Sequence, residues 1–100
     1  MENELHKEYF RPWGSYICLD SGSNFQVKRL IVNPGGILSL QKHFKRSEHW
    51  TVVSGVASVT LDKEEFKLKV NETIYIPIES IHRISNKSPD VLEIIEVQCG

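Results

Sequence analysis

Cysteine, charge of one sign and long apolar runs are all scarce in this sequence. Its two cysteines, Cys18 and Cys99, lack the close spacing of a structural metal site, and no secretory context surrounds them. Reduced thiols in a cytosolic protein are the expectation, rather than a disulfide framework. Lysine and arginine number 12 against 13 acidic residues, for a net charge of −1. That balance offers no basic footprint for nucleic acid and no polybasic patch for a membrane. The local exception is Lys42, Lys45 and Arg46, which either meet a small anion or face water as an ordinary solvated loop. No apolar stretch approaches the roughly 20 residues needed to cross a bilayer. The start, Met1-Glu-Asn-Glu-Leu-His-Lys-Glu8, has neither the basic head nor the apolar centre of a signal peptide. A soluble, cytoplasmic protein is expected. At 100 residues it has room for one domain around one core.

Amphipathic helical patterning is missing too. Residues 1–10 are polar and read as a flexible arm or a short helix, and residues 11–100 as a single domain. Alternating or apolar runs predict strands over 16–19, 25–32, 37–41, 49–53, 56–61, 64–70, 73–76, 82–85 and 91–97, separated by turn formers such as Asn33-Pro-Gly-Gly36 and Asp62-Lys63. About eight or nine short strands at near-regular spacing indicate an all-β sandwich or barrel. A jelly roll best accommodates them in one small domain.

What the chain does have is a set of metal-ligating side chains confined to two short runs. Gln41 and His43, two apart on a strand, project to one side, with Leu38 and Leu40 on the other. Glu48 opens the next strand, and His82 follows the turn set by Pro77. Taken singly, Gln41 reads as a plain polar residue, Glu48 as surface charge, and the histidines as ligands or hydrogen-bonded residues alike. Taken together they offer oxygen and nitrogen ligands for one divalent ion. With imidazole and carboxylate but no thiolate, zinc is the expected metal.

The frames around these residues resemble the two signature motifs of the cupin superfamily. Gly35, Gln41, His43, Glu48 and Gly55 fall on the positions of the first motif, with Gln41 where the family has its first histidine. Asn71, Pro77, Glu79, His82 and Asn86 fall on those of the second, with Asn71 and Glu79 in place of turn glycines. The resemblance implies a small cupin barrel, a double-stranded β-helix, with the metal at its mouth. Gln-His-Glu-His in place of three histidines and a glutamate argues against the iron-dioxygenase cupins.

A narrower resemblance runs from about residue 9 to residue 100. Arg11-Pro-Trp-Gly14, Val27-Lys-Arg-Leu30, Leu38-Ser-Leu-Gln41, Arg46-Ser-Glu-His-Trp50, Val53-Ser-Gly55, Tyr75-Ile-Pro77 and Ile95-Glu-Val-Gln98 are similar to the type II phosphomannose isomerase domain. That domain also forms the C-terminal part of bifunctional mannose-1-phosphate guanylyltransferases. The resemblance implies interconversion of mannose 6-phosphate and fructose 6-phosphate, feeding GDP-mannose and polysaccharide synthesis. It also implies a tail beyond Gly100 with an arginine tied to catalysis, and its lack is expected to weaken activity.

Two residues are candidates for the chemistry. Arg46, two positions before Glu48, is placed to bind the phosphate or a developing oxyanion, although an exposed loop arginine reads the same way. Lys28, on an inner-strand candidate, is placed to shuttle a proton, against the ordinary reading of a surface lysine. Strand alternation points His49 away from the metal. Trp13 and Trp50 read as core or subunit-contact residues rather than sugar-stacking platforms. The competing readings are a non-catalytic cupin that binds a sugar phosphate or supports a partner enzyme, and a cupin enzyme of other chemistry, such as an epimerase or dioxygenase. An exposed edge strand favours a homodimer.

Overall fold

A computed structural model describes residues 4–100. Their strands are β1 (Glu8–Arg11), β2 (Gly14–Ser21), β3 (Phe25–Val32), β4 (Gln41–Lys42), β5 (Ser47–Ser54), β6 (Ala57–Leu61), β7 (Glu64–Leu68), β8 (Thr73–Ile76), β9 (Ile81–Ser85) and β10 (Leu92–Cys99). They form two antiparallel sheets, ordered β1-β2-β3-β10-β5-β8 and β4-β9-β6-β7. The core lies between them. Tyr16, Leu30, Trp50, Val52 and Ile94 from the larger sheet pack with Ala57, Val59, Leu68 and Ile84 from the smaller one. No helix among the described residues is long and apolar enough to cross a membrane.

Alternation puts function and core on one surface. Along β10, Leu92, Ile94, Glu96 and Gln98 are buried, while Glu93, Ile95 and Val97 turn outward and are half-buried. The same parity on β5 turns Glu48, Trp50 and Val52 inward. Registers then align the inward polar residues. Glu96 stands opposite Lys28 on one side and Trp50 on the other, and Gln98 opposite Gln26 and Glu48. The apolar rows fill the depth of the barrel, and the polar rows lie toward one end.

Two local expectations fail. The flexible arm gives way to strand at its end, because Glu8–Arg11 pairs with Gly14–Ile17 of β2 and Tyr9 stacks on Tyr16 at 5.3 Å. Residues 1–3 of that arm lie outside the described residues. The strand over 37–41 is the other failure. Its pairing reduces to an isolated bridge, Ile37 with Ser85, and to the two-residue β4. Ile37 and Leu40 are exposed, so apolar burial does not hold the run flat against its neighbour. The break resets the parity, and Leu38 lines the same cavity as Gln41 rather than the opposite face.

The two departures from motif glycine leave a measurable trace. Asn71 and Glu79 have φ of 74° and 68°, in the left-handed region that glycine occupies without penalty. Asn tolerates this conformation; Glu has no such excuse. Glu79 is exposed, and its backbone N–H donates to His43 O at 2.6 Å, a bond that glycine would keep. Glu79→Gly is therefore expected to raise stability by about 1 kcal/mol, read from urea unfolding midpoints. A loss of stability would contradict the assignment of strain to this turn.

Candidate metal centre

Four predicted ligands meet at one end of the barrel. Gln41 on β4 pairs with His82 on β9, which sets the two side by side. His43 lies just past β4, its carbonyl held by the turn before β9. Glu48 enters from the larger sheet, opposite Ile76 and Gln98. Glu48 Oε2 is 3.1 Å from His82 Nε2 and 3.4 Å from His43 Nε2, and Gln41 Oε1 is 3.2 Å from the same nitrogen of His43. The ligand atoms of His43, Glu48 and His82 all lie within 4.8 Å of one another.

This donor set fits a divalent ion. His82 Nδ1 faces Ser80 O at 3.1 Å, so its proton belongs on that nitrogen and the Nε2 lone pair points at the cluster. Glu48 Oε2 and His82 Nε2 are buried and, although 3.1 Å apart, make no well-aligned hydrogen bond to each other or to any other group. Unmet buried polar atoms are costly, and an ion between them would satisfy both at once. Three nitrogen and carboxylate donors with an amide oxygen beside them, and no thiolate, suit zinc or another borderline ion.

The electrostatics are arranged around Glu48. Burial pushes its carboxyl up, but contacts from His82, Glu96 and Trp50 outweigh this and hold it far below the usual carboxylate range. Trp50 Nε1 donates to Glu48 Oε1 at 3.1 Å and to Glu96 Oε1 at 3.3 Å. Glu96 goes the other way: burial and then its neighbour Glu48 push it up to about 8. The two carboxyls are thus pushed apart, Glu48 toward the charged form and Glu96 toward the protonated one. Burial, then Arg46, pulls His43 down. For His82, burial pulls down, but Glu48 and the Ser80 carbonyl raise it overall.

A cavity of about 400 Å³ opens beside the cluster. Both predicted chemical residues line it. Arg46 donates to His43 Nε2 at 3.0 Å, and its own Nε is buried without a partner. Ligation by His43 would displace this bond and release the donor to the cavity. Lys28 stands opposite Glu96, with Nζ 4.8 Å from the centre of the Tyr16 ring. His49 is outside, exposed and tilted against Tyr75 at 4.8 Å, as alternation predicts. Trp50 is a core residue, and its edge meets His82 at 5.5 Å. Trp13 packs against the core and also reaches the cavity.

Sequence reasoning missed Glu96, Arg11 and Arg83, all cavity-lining. A signal for Glu96 exists: it shares parity with Leu92 and Ile94, so a carboxylate on the core face of β10 was readable.

The whole chain, residues 1–100, matches the family model described as mannose-6-phosphate isomerase C-terminal. It is 56% identical over 99 residues to the alginate biosynthesis protein AlgA of Pseudomonas syringae, covering 99% of this chain and 20% of that one. It is 46% identical over 99 residues to the mannose-1-phosphate guanylyltransferase of Escherichia coli, covering 99% of this chain and 21% of that one. The chain thus spans about a fifth of the length of these relatives. In fold it is similar to the cupin domain of Schizosaccharomyces pombe Cnp3, with a TM-score of 0.82 at 13% identity over 85% of this chain and 63% of that one. With two sheets closed around one core and the ligand frames in register, the chain belongs to the mannose-6-phosphate isomerase C-terminal family and is built as a cupin barrel.

Proposed function

We propose that this chain is a metal-dependent aldose–ketose isomerase domain that interconverts mannose 6-phosphate and fructose 6-phosphate. The observation that carries the reading is the convergence of Gln41, His43, Glu48 and His82 beside a cavity lined by Arg and Lys side chains. The product would feed GDP-mannose and polysaccharide synthesis. A cytoplasmic homodimer with zinc as its ion completes the proposal.

Isomerisation moves one proton from C2 to C1 and one from the C2 hydroxyl to the C1 oxygen, with no net gain or loss of atoms. When bound, the ion supplies Lewis acidity to the two sugar oxygens. The chain's residues supply the rest. Arg46, within reach of a ligand histidine, offsets the negative charge that develops on those oxygens. Lys28 carries the proton between the carbons, and the carboxyl of Glu96 beside it holds a second proton in reserve. Leu30, Leu38, Trp50 and Ile84 form the apolar part of the cavity wall.

Zinc-loaded protein supplied with mannose 6-phosphate is expected to form fructose 6-phosphate in a coupled assay. Absence of turnover with one ion bound per chain would overturn the isomerase reading. Binding of the sugar phosphate without turnover would instead assign the chain to the non-catalytic cupins.

A further inference from the structure

The cavity wall carries Arg11, Lys28, Arg46 and Arg83. Its two carboxylates, Glu48 and Glu96, lie together under the Trp50 N–H on the metal side. Two of the cations belong with that side as well: Arg46 touches His43, and Lys28 stands opposite Glu96. Arg11 and Arg83 are anchored on other groups. Arg11 comes from β1 in the larger sheet, donates to Phe10 O at 2.8 Å, and has its guanidinium carbon 5.3 Å from the centre of the Tyr16 ring. Arg83 comes from β9 in the smaller sheet. Its Nε is anchored on Leu38 O at 3.0 Å, and it makes no ion pair among the described residues. Ser39, exposed beside Leu38, adds a hydroxyl to the same wall.

We infer that Arg11 and Arg83, with Ser39, form the subsite for the phosphate of an open-chain sugar phosphate whose carbonyl end lies at the metal cluster. This rests on the isomerase reading above. In a hexose 6-phosphate the phosphate and the reacting carbons C1 and C2 are at opposite ends of the chain. Arg46, which stands beside His43, belongs with the C1 and C2 oxygens at that metal rather than with the phosphate at the other end of the sugar. The phosphate needs cations at a distance from the ligands, inside the same cavity. Two guanidiniums held by backbone carbonyls are suited to it, since planar forks match phosphate oxygens and little ordering remains to be done. A second hollow of about 350 Å³ also borders Arg46, but its other lining residues are hydroxyl, amide, glycine and phenylalanine, with no further cation. It offers a dianion much less.

The test is calorimetric titration of the zinc-loaded protein with mannitol 6-phosphate, an open-chain phosphate that has no carbonyl to isomerise. Mannitol serves as the phosphate-free control. Arg11→Met and Arg83→Met keep the apolar stem and remove the charge. Each is expected to weaken mannitol 6-phosphate binding about tenfold or more, with metal content unchanged. Arg83→Lys should recover part of the loss. In turnover, KM for mannose 6-phosphate should rise in both variants while kcat stays within about twofold. If both folded variants bind the phosphate as the wild type does, the subsite is wrong, and continued turnover would leave the isomerase reading standing. Failure of the wild type to bind mannitol 6-phosphate would also overturn the subsite. Arginine-dependent binding without any isomerisation would uphold the subsite and sink the isomerase reading.

Discussion

Glu48→Ala protein is expected to gain nothing from zinc, whereas the wild type should gain several kcal/mol. The expectation follows from linkage. A ligand that binds only the folded state at about 1,000 times its Kd adds about 4 kcal/mol of stability. In a domain of this size each kcal/mol moves Tm by about 4–8 °C. Glu48 supplies the only carboxylate oxygen in the ligand cluster, and it lies between both histidines, 2% exposed. Without it the ion would face two neutral imidazoles and one amide, with no charge to offset its own. Thermal melts with zinc and with chelator read the effect directly. An equal zinc-induced shift in wild type and Glu48→Ala would mean that the ion binds elsewhere.

Trp50→Ala is expected to cost about 3–5 kcal/mol, measured from urea unfolding. Trp50 is 2% exposed and sits in the central cluster between the sheets, so its removal leaves a large void. It also removes the N–H that both Glu48 and Glu96 accept. Trp50→Phe separates the two contributions. It keeps an aromatic ring in place and deletes the donor, which is expected to cost about 1–3 kcal/mol. Because that N–H orients Glu48, the Phe variant should also bind zinc about 10–100-fold more weakly. Trp50→Ala within about 1 kcal/mol of the wild type would contradict the packing account.

Most of the barrel was legible because β alternation is local. The strand over 25–32 and the one over 73–76 come out with the predicted limits, and the others, except the run over 37–41, shift by a few residues at their ends. The candidate ligand cluster was legible for a different reason: the spacing of Gln41, His43, Glu48 and His82 sits inside turns marked by Gly35, Gly55 and Pro77. Even the missing glycines kept their geometry, since Asn71 and Glu79 adopt the left-handed backbone of the residues they replace. Illegible parts depend on what the chain meets in three dimensions. The run 37–41 has strand composition, yet with Ile37 and Leu40 facing solvent nothing holds it flat. The polar arm gave no sign of pairing, because the Tyr9–Tyr16 stack that fixes β1 is a contact between elements. Arg11 and Arg83 come from opposite sheets, so no spacing along the sequence could unite them.

The central claim is that Gln41, His43, Glu48 and His82 hold one divalent ion. Elemental analysis of the purified protein after exchange into zinc, beside His43→Ala treated in the same way, tests it most directly. The account predicts about one zinc per chain in the wild type, retained through dialysis and lost in the variant. A folded wild-type protein that takes up no zinc, or a His43→Ala protein that keeps its full complement, would contradict it.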